Sequence, residues 1–178
     1  MKFTLIALLS FVVAFPAIAQ AEGLQGKPIP HSLELSDQHS NKQSFDKLSG
    51  EKGLILVFYR SADWCPFCKK QLIDLQARHN EIKQTGYNLV GISYDTTQVL
   101  SRFSEKRDIK FPLLSDDGSK AIADFGLLNT DLPENHFAYG VPHPAVVIIN
   151  ADKTVKTVLK EDGYKNRVTI DQIINAIQ

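Results

Sequence analysis

Two runs of consecutive apolar residues of strand length, 54–59 and 145–149, punctuate the chain, and 88–93, with Leu89, Val90 and Ile92, reads as a further core strand between them. Apolar runs without alternation mark strands covered on both faces. Between 54–59 and 88–93 the period changes. Cys68, Leu72, Leu75 and Ile82 recur along one helical stripe, which predicts a helix over 66–84 with that face buried. Pro66 suits its first turn, where a missing N–H costs nothing, and Gly86 suits its stop. A second helix is predicted over 99–107, with Leu100 and Phe103 inward. Residues 111–114 read as a short strand, 116–118 as a turn and 120–125 as a short helix. The stretch 126–140 has no period and is predicted as a long loop. Residues 154–159 alternate like a strand with one wet face, and Val168, Ile170, Ile173, Ile174 and Ile177 mark a closing helix. Near the start, 33–37 reads as a short edge strand with a turn, and 44–50 as one helical turn closed by glycine. The alternation predicts an α/β fold with a mixed central sheet flanked by helices.

The N-terminus changes the picture of where the domain begins. After Met1-Lys2 the chain is apolar from Leu5 to Ala19, shorter than the ~20 residues a spanning helix needs. Ala17-Ile18-Ala19 and Ala19-Gln20-Ala21 both fit a small-x-small cleavage rule. We therefore read residues 1–21 as a signal peptide and 22–178 as one domain, exported, with the bacterial periplasm the natural compartment. No later segment is apolar enough to span a membrane. Twenty basic residues balance twenty acidic ones, and no basic run exceeds Lys69-Lys70. Nucleic acid is thus excluded as an expected partner.

The chain has only two cysteines, Cys65 and Cys68, in Trp64-Cys65-Pro66-Phe67-Cys68. They stand between a predicted strand and the first turn of a predicted helix, the geometry of a redox-active dithiol. A bridge this short closes almost no loop, so its use lies in opening and closing rather than in stapling the fold. A free thiol titrates near ~8.5, and a helix N-terminus lowers that. Cys65 sits where the unpaired helical N–H groups point, with Arg60, Lys69 and Lys70 adding positive potential. Cys65 is the expected nucleophile and Cys68, one turn in, the expected resolving cysteine. A second element, Tyr139 to Ala145, holds Pro142 and Pro144 just before a core strand, which suggests a fixed turn. Among the five histidines, His136 and His143 lie in loops that could approach the dithiol. Two thiolates and one histidine would suit Cu(I) or an incomplete Zn site, but no metal site is assigned. No cofactor is expected, since no phosphate-binding glycine loop is present.

The segment Val57 to Cys68 resembles the active site of thioredoxin-like proteins, and more closely the redoxin branch. That branch groups alkyl hydroperoxide reductase/thiol-specific antioxidant proteins, which are peroxiredoxin-like, with exported thioredoxins. The resemblance covers residues 28–178 and implies the thioredoxin-like fold. It places Cys65 on the attacking cysteine, Cys68 on the resolving one and Pro144 on the family's cis-proline, preceded by His143. Trp64, Pro66, His143 and Pro144 are then the expected substrate-binding residues. Residues 108–131 resemble the insertion of the redoxin branch. Two departures stand out. The buried Asp that thioredoxins carry before the motif falls on Phe58 or Tyr59, depending on the alignment. The peroxiredoxin pattern Pro-x-x-x-Thr-x-x-Cys is incomplete in either register, and the strand entry Pro144-Ala145-Val146-Val147 lacks the activating Arg.

The sequence reading is therefore an exported thiol–disulfide oxidoreductase acting on protein or small-molecule thiols and disulfides with a redox partner protein. The alternative is a thiol-dependent peroxidase, an antioxidant acting on hydroperoxides. A copper-binding chaperone using Cys65, Cys68 and a loop histidine is a third reading.

Overall fold

The computed structural model describes Ala21 and residues 23–178. The leader predicted over 1–21 lies, apart from Ala21, outside the described residues. Six strands form one sheet in the order β1-β4-β3-β2-β5-β6. They are β1 (Ser36–Asp37), β2 (Gly53–Phe58), β3 (Tyr87–Ser93), β4 (Leu113–Ser115), β5 (Ala145–Asn150) and β6 (Val155–Lys160). β2, β3 and β4 run parallel, while β1, β5 and β6 each pair antiparallel with a neighbour. The helices are α1 (Phe45–Leu48), α2 (Pro66–Ala77), α3 (His79–Gln84), α4 (Thr97–Arg107), α5 (Lys120–Asp124) and α6 (Ile170–Ile177). The mixed sheet flanked by helices is the predicted architecture.

Every residue of β2 is buried, as its unbroken apolar run requires. Its alternate side chains feed two cores. Ile55, Val57 and Tyr59 pack with α2, α3, α4 and α6, the layer that contains both cysteines. Leu54, Leu56 and Phe58 pack on the other side with α1 and α5. The period of two decides which candidate stands at the buried-Asp position: Tyr59 shares the layer of the cysteines, and Phe58 does not. Burial and the nearby Asp95 push the Tyr59 phenol far up, so it stays protonated.

On α2, Leu72 and Leu75 are fully covered, worth about 1.5–3 kcal/mol each. The predicted single helix 66–84 is two helices. At Arg78 (φ −114°) the backbone N–H donates to Leu75 O, three residues back, and the ladder restarts at His79. Ile82 remains fully buried after the restart. The other predicted elements shift by one to three residues at their ends, and Val168 is a buried anchor ahead of α6 rather than part of it. Among the described residues, no helix is long and apolar enough to cross a membrane.

Register brings two loops together. Phe58 pairs with Ile92 on β3 and with Ala145 on β5. The loop leaving β2 toward Cys65 and the proline loop entering β5 therefore share one end of the sheet, where crevices form in such folds.

Candidate active site

Cys65 is the N-cap of α2, Pro66 opens the helix, and the Cys68 N–H donates to Cys65 Sγ at 3.3 Å. The two sulfurs form a disulfide across Cα atoms 5.3 Å apart. Both cysteines are almost wholly buried, Cys65 at 1% and Cys68 at 0% exposure. Pro66 and Phe67 are exposed beside them.

The turn that delivers Cys65 is held by Asp95, just past β3. One Asp95 carboxylate oxygen accepts from Ser61 Oγ (2.8 Å), and the other from the Ala62 N–H (2.7 Å) and Ser93 Oγ (3.0 Å). Ser61 Oγ in turn accepts from the Asp63 N–H at 2.9 Å. Sequence reasoning missed Asp95, because an acid at a strand end reads as solvated. Replacing it by alanine is expected to cost about 3 kcal/mol, since it strands a buried N–H and two hydroxyls. Urea unfolding checks this, and a loss under 1 kcal/mol would refute the bracing role. Burial raises the Asp95 pKa, against the pull of the Ala62 N–H and the two hydroxyls. With the folded value above the unfolded one, its stabilising contribution is full at low pH and is lost as pH rises from about 3.8 through the raised value. Asp95→Asn should flatten that fall.

The cation at the sulfurs comes from a segment that sequence reasoning passed over. Arg167 Nη2 lies 3.3 Å from Cys68 Sγ and 3.7 Å from Cys65 Sγ. Its Nη1 donates to Tyr164 O and Asn166 O. Val168 anchors the next residue in the core, and Thr169 then caps α6 reciprocally with Gln172. These contacts fix where the guanidinium can reach. Burial, and then repulsion by Arg60, lower the Arg167 pKa to about 10, so it stays charged at neutral pH. The cations named from the sequence are engaged elsewhere. Arg60 lies between the rings of Trp64 (4.7 Å) and Tyr164 (5.1 Å). Lys69 donates to Asp63 O, and Lys70 pairs with Asp74.

Of the expected substrate-binding residues, Trp64 and Pro66 adjoin the dithiol. Trp64 Nε1 donates to Tyr94 Oη (2.9 Å), and its ring meets Phe137 edge-on at 5.3 Å. His143 and Pro144 line a cavity of about 360 Å³ with Arg60 and Tyr164. The proline is not cis, because the described residues contain no cis peptide bond. Trans is the ordinary state of an X–Pro peptide, and the chain approaches β5 extended. The His143 N–H donates to Leu127 O at 2.7 Å, and Pro142 bridges Leu128, so the loop runs as a ladder straight into the strand. Burial also lowers the His143 pKa. No group of three or more His, Cys, Asp or Glu that could hold a metal occurs among the described residues. Arg167 against the sulfurs also repels a Cu(I) ion.

A disulfide at a helix N-terminus, on a mixed sheet and under a guanidinium, defines a thiol-dependent oxidoreductase of thioredoxin-like fold. The AhpC/TSA family matches residues 25–158, and the chain belongs to that family. It is 28% identical over 155 residues to Peroxiredoxin Bcp of Escherichia coli (strain K12), covering 85% of this chain and 94% of that protein. It is 25% identical over 150 residues to the chloroplastic Peroxiredoxin Q of Suaeda salsa, covering 84% and 66%. Among solved structures, Peroxidoxin BcpB from Mycobacterium tuberculosis superposes with a TM-score of 0.69 at 24% identity, covering 86% of this chain and 93% of that one.

Proposed function

We propose that this chain is a dithiol peroxidase. The observation that carries the reading is the Arg167 guanidinium 3.3 Å from Cys68 Sγ. It supplies, from a distant part of the chain, the cation that the strand entry at Pro144 lacks. In the reduced protein Arg167 stabilises a Cys68 thiolate and then the oxygen leaving the peroxide. The Cys68 sulfur attacks the peroxide O–O bond, becomes sulfenic acid and releases water or an alcohol. The Cys65 thiol then attacks the Cys68 sulfur, releases water and closes the disulfide. A thiol reductant reopens it. The relatives' names support this ranking over disulfide exchange as the main activity. The same dithiol retains disulfide exchange at Cys65, the residue on the helix N-cap. Export to the periplasm belongs to the proposal on the residue pattern of 1–21 alone, and N-terminal sequencing of the secreted protein tests it.

The function is tested by stopped-flow oxidation of the reduced protein with hydrogen peroxide and with cumene hydroperoxide. The chain's only tryptophan, Trp64, neighbours the site and reports the reaction. Oxidation at least about 10²-fold faster than free cysteine is expected, the scale of one preorganised donor. A rate equal to free cysteine, beside ready turnover of insulin disulfides, would return disulfide exchange to first place.

A further inference from the structure

A groove of about 500 Å³ runs along α2 away from the disulfide, within the ~300–1,000 Å³ of small-molecule sites. Gln71, one turn beyond Cys68, lines it. This residue is only 7% exposed, and its Oε1 is buried with no hydrogen-bond partner. Arg167 lines the same groove, and its Nε is likewise buried and unpartnered, although Nη2 of the same group touches both sulfurs. Buried polar atoms without partners are uncommon. Here one unpaired acceptor and one unpaired donor belong to residues that line the same groove, and Arg167 also touches both sulfurs, so an amide of a ligand that reaches them can satisfy both. The mouth carries an excess of cations. Lys70 pairs with Asp74 and Arg78 with Asp171. That leaves Lys165, whose ammonium lies 5.7 Å over the Tyr164 ring without a carboxylate.

We propose that this groove binds the reductant, a small anionic thiol of the cysteinyl-peptide class. The proposal rests on the dithiol-peroxidase reading and names what returns the disulfide to dithiol. Peptide N–H and C=O groups match Gln71 Oε1 and Arg167 Nε, and a carboxylate matches Lys165. A small thiol suits the site better than a protein surface. The groove has the volume of a small-molecule site, and Arg167, which lines it, touches both sulfurs.

Gln71 follows Cys68 by one helical turn, and a thiolate held in the groove attacks Cys68 Sγ. The S–S bond breaks, and Cys65 leaves as a thiolate toward the Cys68 N–H and the helix N-terminus. A second peptide thiolate attacks the peptide sulfur of the mixed disulfide. The peptide disulfide departs and Cys68 is left as a thiolate beside Arg167. Two thiols become one disulfide and give two electrons to the protein pair; one of their protons goes to the Cys65 thiolate and the other to solvent while Cys68 stays ionised.

The test mixes the oxidised protein, without any peroxide, with γ-glutamyl-cysteinyl-glycine or with the neutral thiol 2-mercaptoethanol, and follows Trp64 fluorescence. Saturable reduction by the tripeptide and linear dependence on 2-mercaptoethanol are expected. Gln71→Leu and Lys165→Glu should each lower the ratio of tripeptide to 2-mercaptoethanol rates about tenfold, the scale of one polar contact. A linear response to the tripeptide, or ratios that neither substitution moves, would overturn the proposal. Saturation by a reduced thioredoxin but not by the tripeptide would also overturn it and assign the face to a protein. Because no peroxide is present, failure here differs from failure of the peroxidase reading, which the stopped-flow oxidation decides.

Discussion

Arg167→Gln slows peroxide oxidation of the reduced protein by about 10²–10³-fold while leaving the fold intact. The guanidinium is the only cation placed against the sulfurs among the described residues, at 3.3 Å from Cys68 and 3.7 Å from Cys65. It is half-buried, so its field is weakly screened there. Glutamine keeps much of the volume and a donor but removes the charge. Arg167→Lys should recover part of the rate, since it restores a cation without the fork that also binds Tyr164 O and Asn166 O. The measurement is the second-order rate constant across pH. The Gln variant's rate should rise at higher pH than the parent's, because its thiolate has lost a partner. A change below threefold at all pH values would remove Arg167 from the mechanism.

The second large effect divides the labour of the cysteines. Cys68→Ser should lose rapid peroxide oxidation altogether, yet trap mixed disulfides through Cys65 when offered a protein disulfide. Cys65→Ser should still react with peroxide but stop at the sulfenic acid, which a dimedone adduct at Cys68 reports by mass spectrometry. The motive is the asymmetry of the site. Cys65 is the N-cap and accepts the Cys68 N–H, whereas Cys68 lies nearer Arg167. Equal peroxide rates in both variants, or trapping by both, would refute the assignment.

The parts of this molecule that were legible in the sequence are those whose cause is local. The β2, β3 and β5 runs are mostly apolar because helices cover both faces, and burial leaves a direct imprint on residue type. Pro66, Cys65 and Cys68 announce a helix start because caps obey near-neighbour rules. The parts that were not legible depend on distance or on competition between bonds. Arg167 stands 99 residues from Cys68, in a polar stretch where a basic side chain reads as solvated. Asp95 is indistinguishable in sequence from any acid that ends a strand, until the fold brings Ser61 and Ala62 to it. The trans bond at Pro144 is the ordinary state of an X–Pro peptide, and the sequence around two prolines does not distinguish it from the cis form. The interruption at Arg78 carries neither proline nor glycine. What marks the place is the Arg78 side chain, forked onto Glu81 and paired with Asp171 on α6, and half of that arrangement is remote.

The spacing of the two sulfurs has a consequence for survival under oxidative stress. Cys65 and Cys68 sit on one helical turn, already close enough to bond without unwinding α2. In the proposed cycle the sulfenic acid thus meets a thiol immediately, as a first-order event that no excess of oxidant can outrun easily. Passage to sulfinic and sulfonic acid requires a second peroxide molecule to arrive first. A protein built this way trades away a damage-triggered shutdown. It keeps turning over in oxidant concentrations that would silence an enzyme whose second thiol has to travel.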